Sequence, residues 1–123
     1  MTNERKKLIK KCDGLWAEIV KKKARYKCQR CGSKSKQLNA CHFISRSNKV
    51  LRWEITNGVC LDVGDHFYFH KNPEEFTEWF KKLLGEKDFE ILMIKKHNKL
   101  KTSVANLTLV RLYLEQEMKK LEG

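Results

Sequence analysis

Leu38-Asn39-Ala40-Cys41-His42-Phe43-Ile44 and Val50-Leu51-Arg52-Trp53-Glu54-Ile55-Thr56-Asn57-Gly58-Val59 flank a polar loop, Ser45-Arg46-Ser47-Asn48-Lys49, and lead to Gly64-Asp65-His66-Phe67-Tyr68-Phe69-His70. The first two runs are short and carry the β-branched and aromatic residues that strands favour, so they predict two strands joined by the polar loop. The third run opens a short helix, on which His66 and His70, four residues apart, share one face. A strand pair followed by a histidine-bearing helix makes the expected fold α+β with a small ββα centre.

Helices are expected on both sides of this centre. Leu8, Cys12, Leu15, Trp16, Ile19 and Val20 recur near the 3.6-residue period and predict a helix over 4–25, with Lys6, Lys7, Lys10, Lys21 and Lys22 on its other face. Gly14 inside it costs about 1 kcal/mol of helix propensity. Residues 26–35 read as a turn. Asn72-Pro73-Glu74-Glu75 is a helix start, with Asn as the cap, Pro in the first position and acids in the first turn. Phe76, Trp79, Phe80 and Leu83 supply that helix's apolar face, and Gly85 its stop. Two more helices are expected, over 87–98 and 103–121. The 123 residues thus make one domain: a basic helix (1–27), a core (28–72) and a helical C-terminal region (73–123).

The net charge of +12 is concentrated: 13 of the 27 Lys and Arg residues, but only three of the 15 acids, lie in residues 1–36. Clustered cations displace counterions from phosphates, so a nucleic acid is the natural partner, an anionic membrane surface its rival, and a solvated helix face the bland alternative. Lys21, Lys22, Lys23 and Arg25 are the expected contacts on the first helix. No apolar window is long enough to span a membrane, and the basic N-terminus lacks the apolar stretch of a secretory signal. The five cysteines, an odd number, suit metal ligands or free thiols in a reducing cytoplasm better than a disulfide framework.

Cys28-Gln29-Arg30-Cys31-Gly32 is a knuckle whose two thiols, with a glycine for the tight turn, supply half of a tetrahedral zinc site. Asp62-Val63-Gly64-Asp65 repeats the same spacing where a second cysteine pair would be expected, and Cys60 lies close by. The alternatives are a structural zinc on a mixed thiolate–carboxylate set, or surface acids beside an empty knuckle. A sharper constellation is Cys41-His42, Asn57, and His66 with His70: three of the four histidines fall within 29 residues. The spacing of His66 and His70 lets both imidazoles reach one divalent cation. Adjacent strand residues point to opposite faces, so Cys41 and His42 should have different tasks.

Ala40-Cys41-His42-Phe43-Ile44-Ser45-Arg46, Leu51-Arg52-Trp53, Asn57-Gly58, and His66-Phe67-Tyr68-Phe69-His70-Lys71-Asn72-Pro73, in that order, resemble the phage NinG/Rap recombination nucleases, within the wider HNH (His-Me finger) endonuclease superfamily. The resemblance covers roughly residues 8–82. It implies a ββα-metal centre, with His42 as the general base that activates water and Asn57 as the residue that steadies the loop carrying it. Cys41, His66 and His70 fall where the family's catalytic-cation ligands lie, and Cys28 and Cys31 match half of its zinc knuckle. Asp62 and Asp65 depart from its second cysteine pair. Cys41 departs from the His or Asp common in the superfamily, and a thiolate there would favour zinc over magnesium or manganese.

The function expected from these features is metal-dependent hydrolysis of DNA phosphodiesters, on branched or recombination DNA as the resemblance implies, in a bacterial host's cytoplasm if the chain is phage-encoded. Arg46 and Arg52 are candidates to grip flanking phosphates, or else to solvate the strand edge. Trp16, Trp53, Trp79 and the aromatic run 67–69 are expected to be core for the most part. A homodimer, with the last helix as one interface, would suit a junction substrate. The competing reading is a DNA-binding recombination-accessory module without catalysis, whose metals only hold a basic scaffold.

Overall fold

The computed structural model describes residues 2–123, and these form a small α+β fold of five α-helices and one two-stranded antiparallel sheet. The order is α1 (Asn3–Lys23), β1 (Leu38–His42), a short 3-10 turn (Ile55–Asn57), β2 (Gly58–Asp62), α2 (Val63–Lys71), α3 (Pro73–Leu84), α4 (Glu86–Lys95) and α5 (Val104–Glu122). No helix is long and apolar enough to cross a membrane.

Each face of the hairpin is covered. Ala40 pairs with Cys60 and both turn toward α1 and α5, where Cys12, Trp16, Ile19, Val20, Trp53, Leu107 and Leu114 are buried with them. Cys41 pairs with Val59, and these turn the other way, into a core with Leu51, Leu61, Phe69, Phe80 and Leu92. The period-2 alternation of a strand therefore sends Cys41 and His42 to different sides.

The stretch expected as a second strand over 50–59 is mostly something else. Arg52 N–H bonds to Asn48 O (2.9 Å), Glu54 N–H to Leu51 O (3.2 Å) and Asn57 N–H to Glu54 O (3.1 Å), so the backbone turns and only Gly58 onward pairs with β1. Leu51, Arg52 and Trp53 are buried in succession without a ladder partner. The turn gives Leu51 to one core and Trp53 to the other. Asn72 differs from expectation as well: its side chain does not cap α3 but donates to Tyr68 O (2.8 Å), closing the end of α2.

α1 ends in an uncommon way, with Arg25 and Tyr26 both in the left-handed region (φ 55° each). Such non-glycine residues cost about 1–2 kcal/mol apiece. The turn is held by Tyr26 N–H to Lys21 O (2.9 Å) and by the Tyr26 hydroxyl on Glu18. It delivers the chain to the knuckle, where Gly32 (φ +79°) makes the tight bend the sequence calls for. α5 lies along α1 in the same direction: Arg5 meets Thr102, Cys12 meets Leu107 O, and Lys22 meets Glu122.

α1 and the hairpin approach closely at Gly58, since a Cβ there would stand 2.7 Å from Trp16 Cζ2 and closer still to Val20 Cγ2. Gly58→Ala should therefore destabilise the chain by about 1–3 kcal/mol, the usual cost of overpacking a core, as measured by chemical denaturation.

Candidate active site

His42 closes β1, and its imidazole stacks on Trp16 with ring centroids 3.9 Å apart and planes 7° from parallel. Its Nε2 lies 2.8 Å from the backbone carbonyl of Arg52. A carbonyl can only accept, so Nε2 carries the proton, and a neutral ring then keeps its lone pair on Nδ1. Nδ1 has no protein partner among the described residues. Burial lowers the basicity of His42 below the ordinary imidazole value, which keeps the ring neutral near pH 7.

Asn57 is fully buried and spends its whole amide on one loop. Oδ1 accepts from Ile44 N–H (2.8 Å), and Nδ2 donates to Ile44 O (2.9 Å) and Leu51 O (3.0 Å). It thus joins both ends of the 44–51 loop.

Arg52 is not free to grip a phosphate. Its guanidinium lies against Asp13 of α1 in a two-pronged pair, Nε to Oδ1 at 3.0 Å and Nη2 to Oδ2 at 2.7 Å, and its side chain is only 9% exposed. Asp13 also accepts from Trp53 Nε1 (2.8 Å) and lies 3.6 Å from Arg46. Burial alone would raise the Asp13 carboxyl, but the hydrogen bonds from Arg52 and Trp53, then the Arg52 and Arg46 charges, hold it below the carboxylate range. Arg46, 65% exposed, is the arginine left available to a ligand.

His42 and Arg46 line one side of a cleft of about 510 Å³ whose other side carries His66, His70, Pro73 and Phe76, with Cys41 against it as well. His66 and His70 stand one turn apart on α2, and Asn39 Nδ2 lies 3.3 Å from His66 Nδ1. Burial, then the nearby His70, holds His66 below the ordinary imidazole value, so its ring is neutral and ligand-ready. Cys41 is different: its Sγ is buried among apolar neighbours beside Asn39 O (3.5 Å), and burial pushes the thiol up to about 12. His66 and His70 thus both line the cleft, while Cys41, His66 and His70 do not gather into a three-ligand cluster among the described residues.

One four-ligand cluster does occur: Sγ of Cys28 and Cys31 and an oxygen each of Asp62 and Asp65 all lie within 4.8 Å of one another. Tetrahedral zinc with thiolate and carboxylate ligands sets such atoms about 3.5 Å apart, so the residues fit a metal. They are also satisfied by protons: Cys28 Sγ–H points to Asp65 Oδ2 (3.1 Å) and Cys31 Sγ–H to Asp62 Oδ2 (2.9 Å). Asp62 pushes the Cys31 thiol up to about 12, while Cys31, then the Asp65 N–H, hold the Asp62 carboxyl below its usual range. Arg30 (2.7 Å from Asp65) and Lys36 (3.9 Å from Asp62) offset the carboxylate charge. Asp62 has a second task, because its Oδ1 accepts from Asp65 N–H (2.7 Å) and caps the helix that carries His66 and His70. Cys60 is absent from the cluster; it is buried on the α1 side of the sheet.

Lys21, Lys22 and Lys23 form the last turn of α1, with Lys22 paired to Glu122 (3.6 Å), and Arg25 follows in the left-handed turn. The residue that sequence reasoning missed is Asp13. Its signal was an acid in the middle of α1, three residues before Trp16 and just after Lys10 and Lys11.

Asp13→Asn should cost about 1–3 kcal/mol by breaking a charge-assisted pair. Because its folded value is depressed, Asp13 contributes stability above the ordinary carboxyl value of 3.8 and loses it as pH falls through the lower folded value. The gap between native and Asp13→Asn denaturation curves should therefore be full at neutral pH and shrink below about pH 4. For the knuckle, titrating zinc into metal-free protein should raise Tm and release protons, more tightly at higher pH, since both thiols must ionise. Cys28→Ser with Cys31→Ser should abolish that Tm shift.

Comparison with family models, with curated proteins and with solved structures finds no match for this chain, so the functional reading rests on the residues themselves.

Proposed function

We propose that this chain is a metal-dependent DNA endonuclease whose hairpin and α2 form a ββα-metal centre, in the manner of the HNH nucleases its motifs resemble. The observation that carries the reading is His42: Nε2 is committed to the Arg52 carbonyl, and Nδ1 is left without a protein partner in a cleft that also holds His66, His70 and Arg46. A core histidine would have both nitrogens satisfied.

In this mechanism His42 Nδ1 takes a proton from a water, the resulting hydroxide attacks phosphorus, and the 3′-oxygen leaves. The Arg52 carbonyl, anchored through Arg52 to Asp13, keeps the Nε2 proton in place and favours the imidazolium as it forms. Trp16 fixes the plane of the ring, and Asn57 holds the loop behind it. Arg46 is placed to bind a phosphate oxygen. His66 and His70 would hold a divalent cation, which when bound supplies Lewis-acid stabilisation of the phosphate and leaving oxygen. The knuckle, with zinc or with its own protons, fixes the start of α2. A module that only binds DNA would have no use for a base with a free lone pair.

His42→Ala should slow cleavage of plasmid DNA by about 10²–10⁴-fold, the usual contribution of a general base, with circular dichroism and DNA affinity nearly unchanged. His70→Ala should also lose cleavage, with partial rescue by excess metal, and a chelator should silence the native chain reversibly. A His42→Ala protein that cuts at the native rate, contaminating nuclease excluded, would sink the catalytic reading and leave the accessory-module one.

A further inference from the structure

A second concave surface adjoins the candidate active site. It is a trough of about 340 Å³ between the N-terminal half of α1 and the 46–53 segment, and Arg5, Lys6, Lys10, Arg46 and Lys49 line it. Asp13 is the one carboxylate among its lining residues, and it is taken up by Arg52, Trp53 and Arg46. Among the described residues Lys6, Lys10 and Lys49 make no ion pair, and Arg5 is braced on the Thr102 carbonyl (2.5 Å) and hydroxyl, neither of them charged. The trough is thus positive, with no carboxylate of the lining left over to neutralise it. Arg46 belongs to both concavities, so trough and cleft meet at that side chain.

Opposite Arg46 the cleft is walled by His66, His70, Pro73 and Phe76, with no Lys or Arg among them. The fixed positive charge of the cleft therefore lies on the side it shares with the trough.

We propose that the trough is the track for one flank of the nucleic acid: it holds backbone phosphates on a single side of the bond placed at His42, giving the protein a one-sided footprint. The proposal rests on the nuclease reading for the position of that bond. The shape favours a nucleic acid over an anionic membrane, since a concave channel suits a linear polyanion, and a membrane surface would want apolar side chains projecting beside the cations. Lys6 and Lys10 lie one turn apart, about 6 Å along α1, so successive cations follow the groove. The contacts carry no base readout, so the binding is indifferent to sequence.

The test compares the native chain with Lys6→Gln/Lys10→Gln/Lys49→Gln and with a charge-matched control, Lys82→Gln/Lys87→Gln/Lys119→Gln, all checked for fold by circular dichroism. Affinity for a short duplex is measured against salt on a His42→Ala background. The trough variant should lose at least about tenfold in affinity, and its salt slope should flatten by about two to three units, close to 0.9 per lost phosphate contact; the control should match the parent. On duplexes shortened from either side of the native cut, trimming one side should weaken binding and trimming the other should not, and the trough variant should lose that asymmetry. An unchanged slope, equal dependence on both flanks, or binding of phosphatidylserine vesicles but not duplex would overturn the proposal. A native chain that binds DNA without cutting would overturn the nuclease reading alone, and the salt slope would still decide the trough.

Discussion

Asp13 receives donors from three side chains that the loop after β1 brings to it. Arg52 and Trp53 are hydrogen-bonded to its carboxylate and Arg46 stands at 3.6 Å. A carboxylate on a helix that carries many lysines would ordinarily pair with solvent or a neighbouring lysine. Here it ties α1 to a segment 39 and 40 residues away. Release Asp13, and Arg52 becomes a buried cation without a partner, a far costlier state than a broken surface pair. The Arg52 carbonyl that orients His42 would lose its anchor with it. The setting of the His42 ring thus depends on a residue that is not among the lining of the cleft.

The second organising device is Asp62. One of its oxygens caps α2, the other accepts from Cys31, and its side chain is 1% exposed. Cysteine in that position could serve a metal but would be a poorer cap. The pair of aspartates therefore allows the knuckle to close in two ways, by a metal or by two thiol protons, with Arg30 and Lys36 moderating the charge in either state. In both, the start of the histidine-bearing helix stays fixed against the turn at Cys28.

The sequence made the strand–strand–helix order, α1, α3 and the bend at Gly32 legible, because each is set by local rules: periodicity, helix-start signals and the special backbone of glycine. It misled over 50–57, where an apolar run suggested a strand; the run instead feeds two cores on opposite sides of the sheet, which no local pattern reveals. It also offered Arg52 as a phosphate ligand. Exposure decides between Arg46 and Arg52, and exposure depends on Asp13, far away in the chain. Asn72 looked like a cap for α3 and instead closes α2, since both helix ends meet at that residue and only geometry chooses between them. The cationic trough was legible as charge but not as shape: Arg5, Lys6 and Lys10 come from one helix, Arg46 and Lys49 from the loop.

α1 and α5 pack side by side although the contacts along them join residues 95 to 100 positions apart. Trp16, against which the histidine ring lies flat, sits in the same apolar cluster as Leu107 and Leu114. During synthesis the apolar face of α1 emerges early and waits, uncovered, until α5 has been made. Pairings so distant in the chain carry a large loop-closure cost before they bring any stability, which slows folding and joins it into one cooperative step. A half-made chain would have its histidines in place but lack the apolar backing that Leu107 and Leu114 give Trp16, so a firmly held His42 ring should arrive late, together with the rest of the fold.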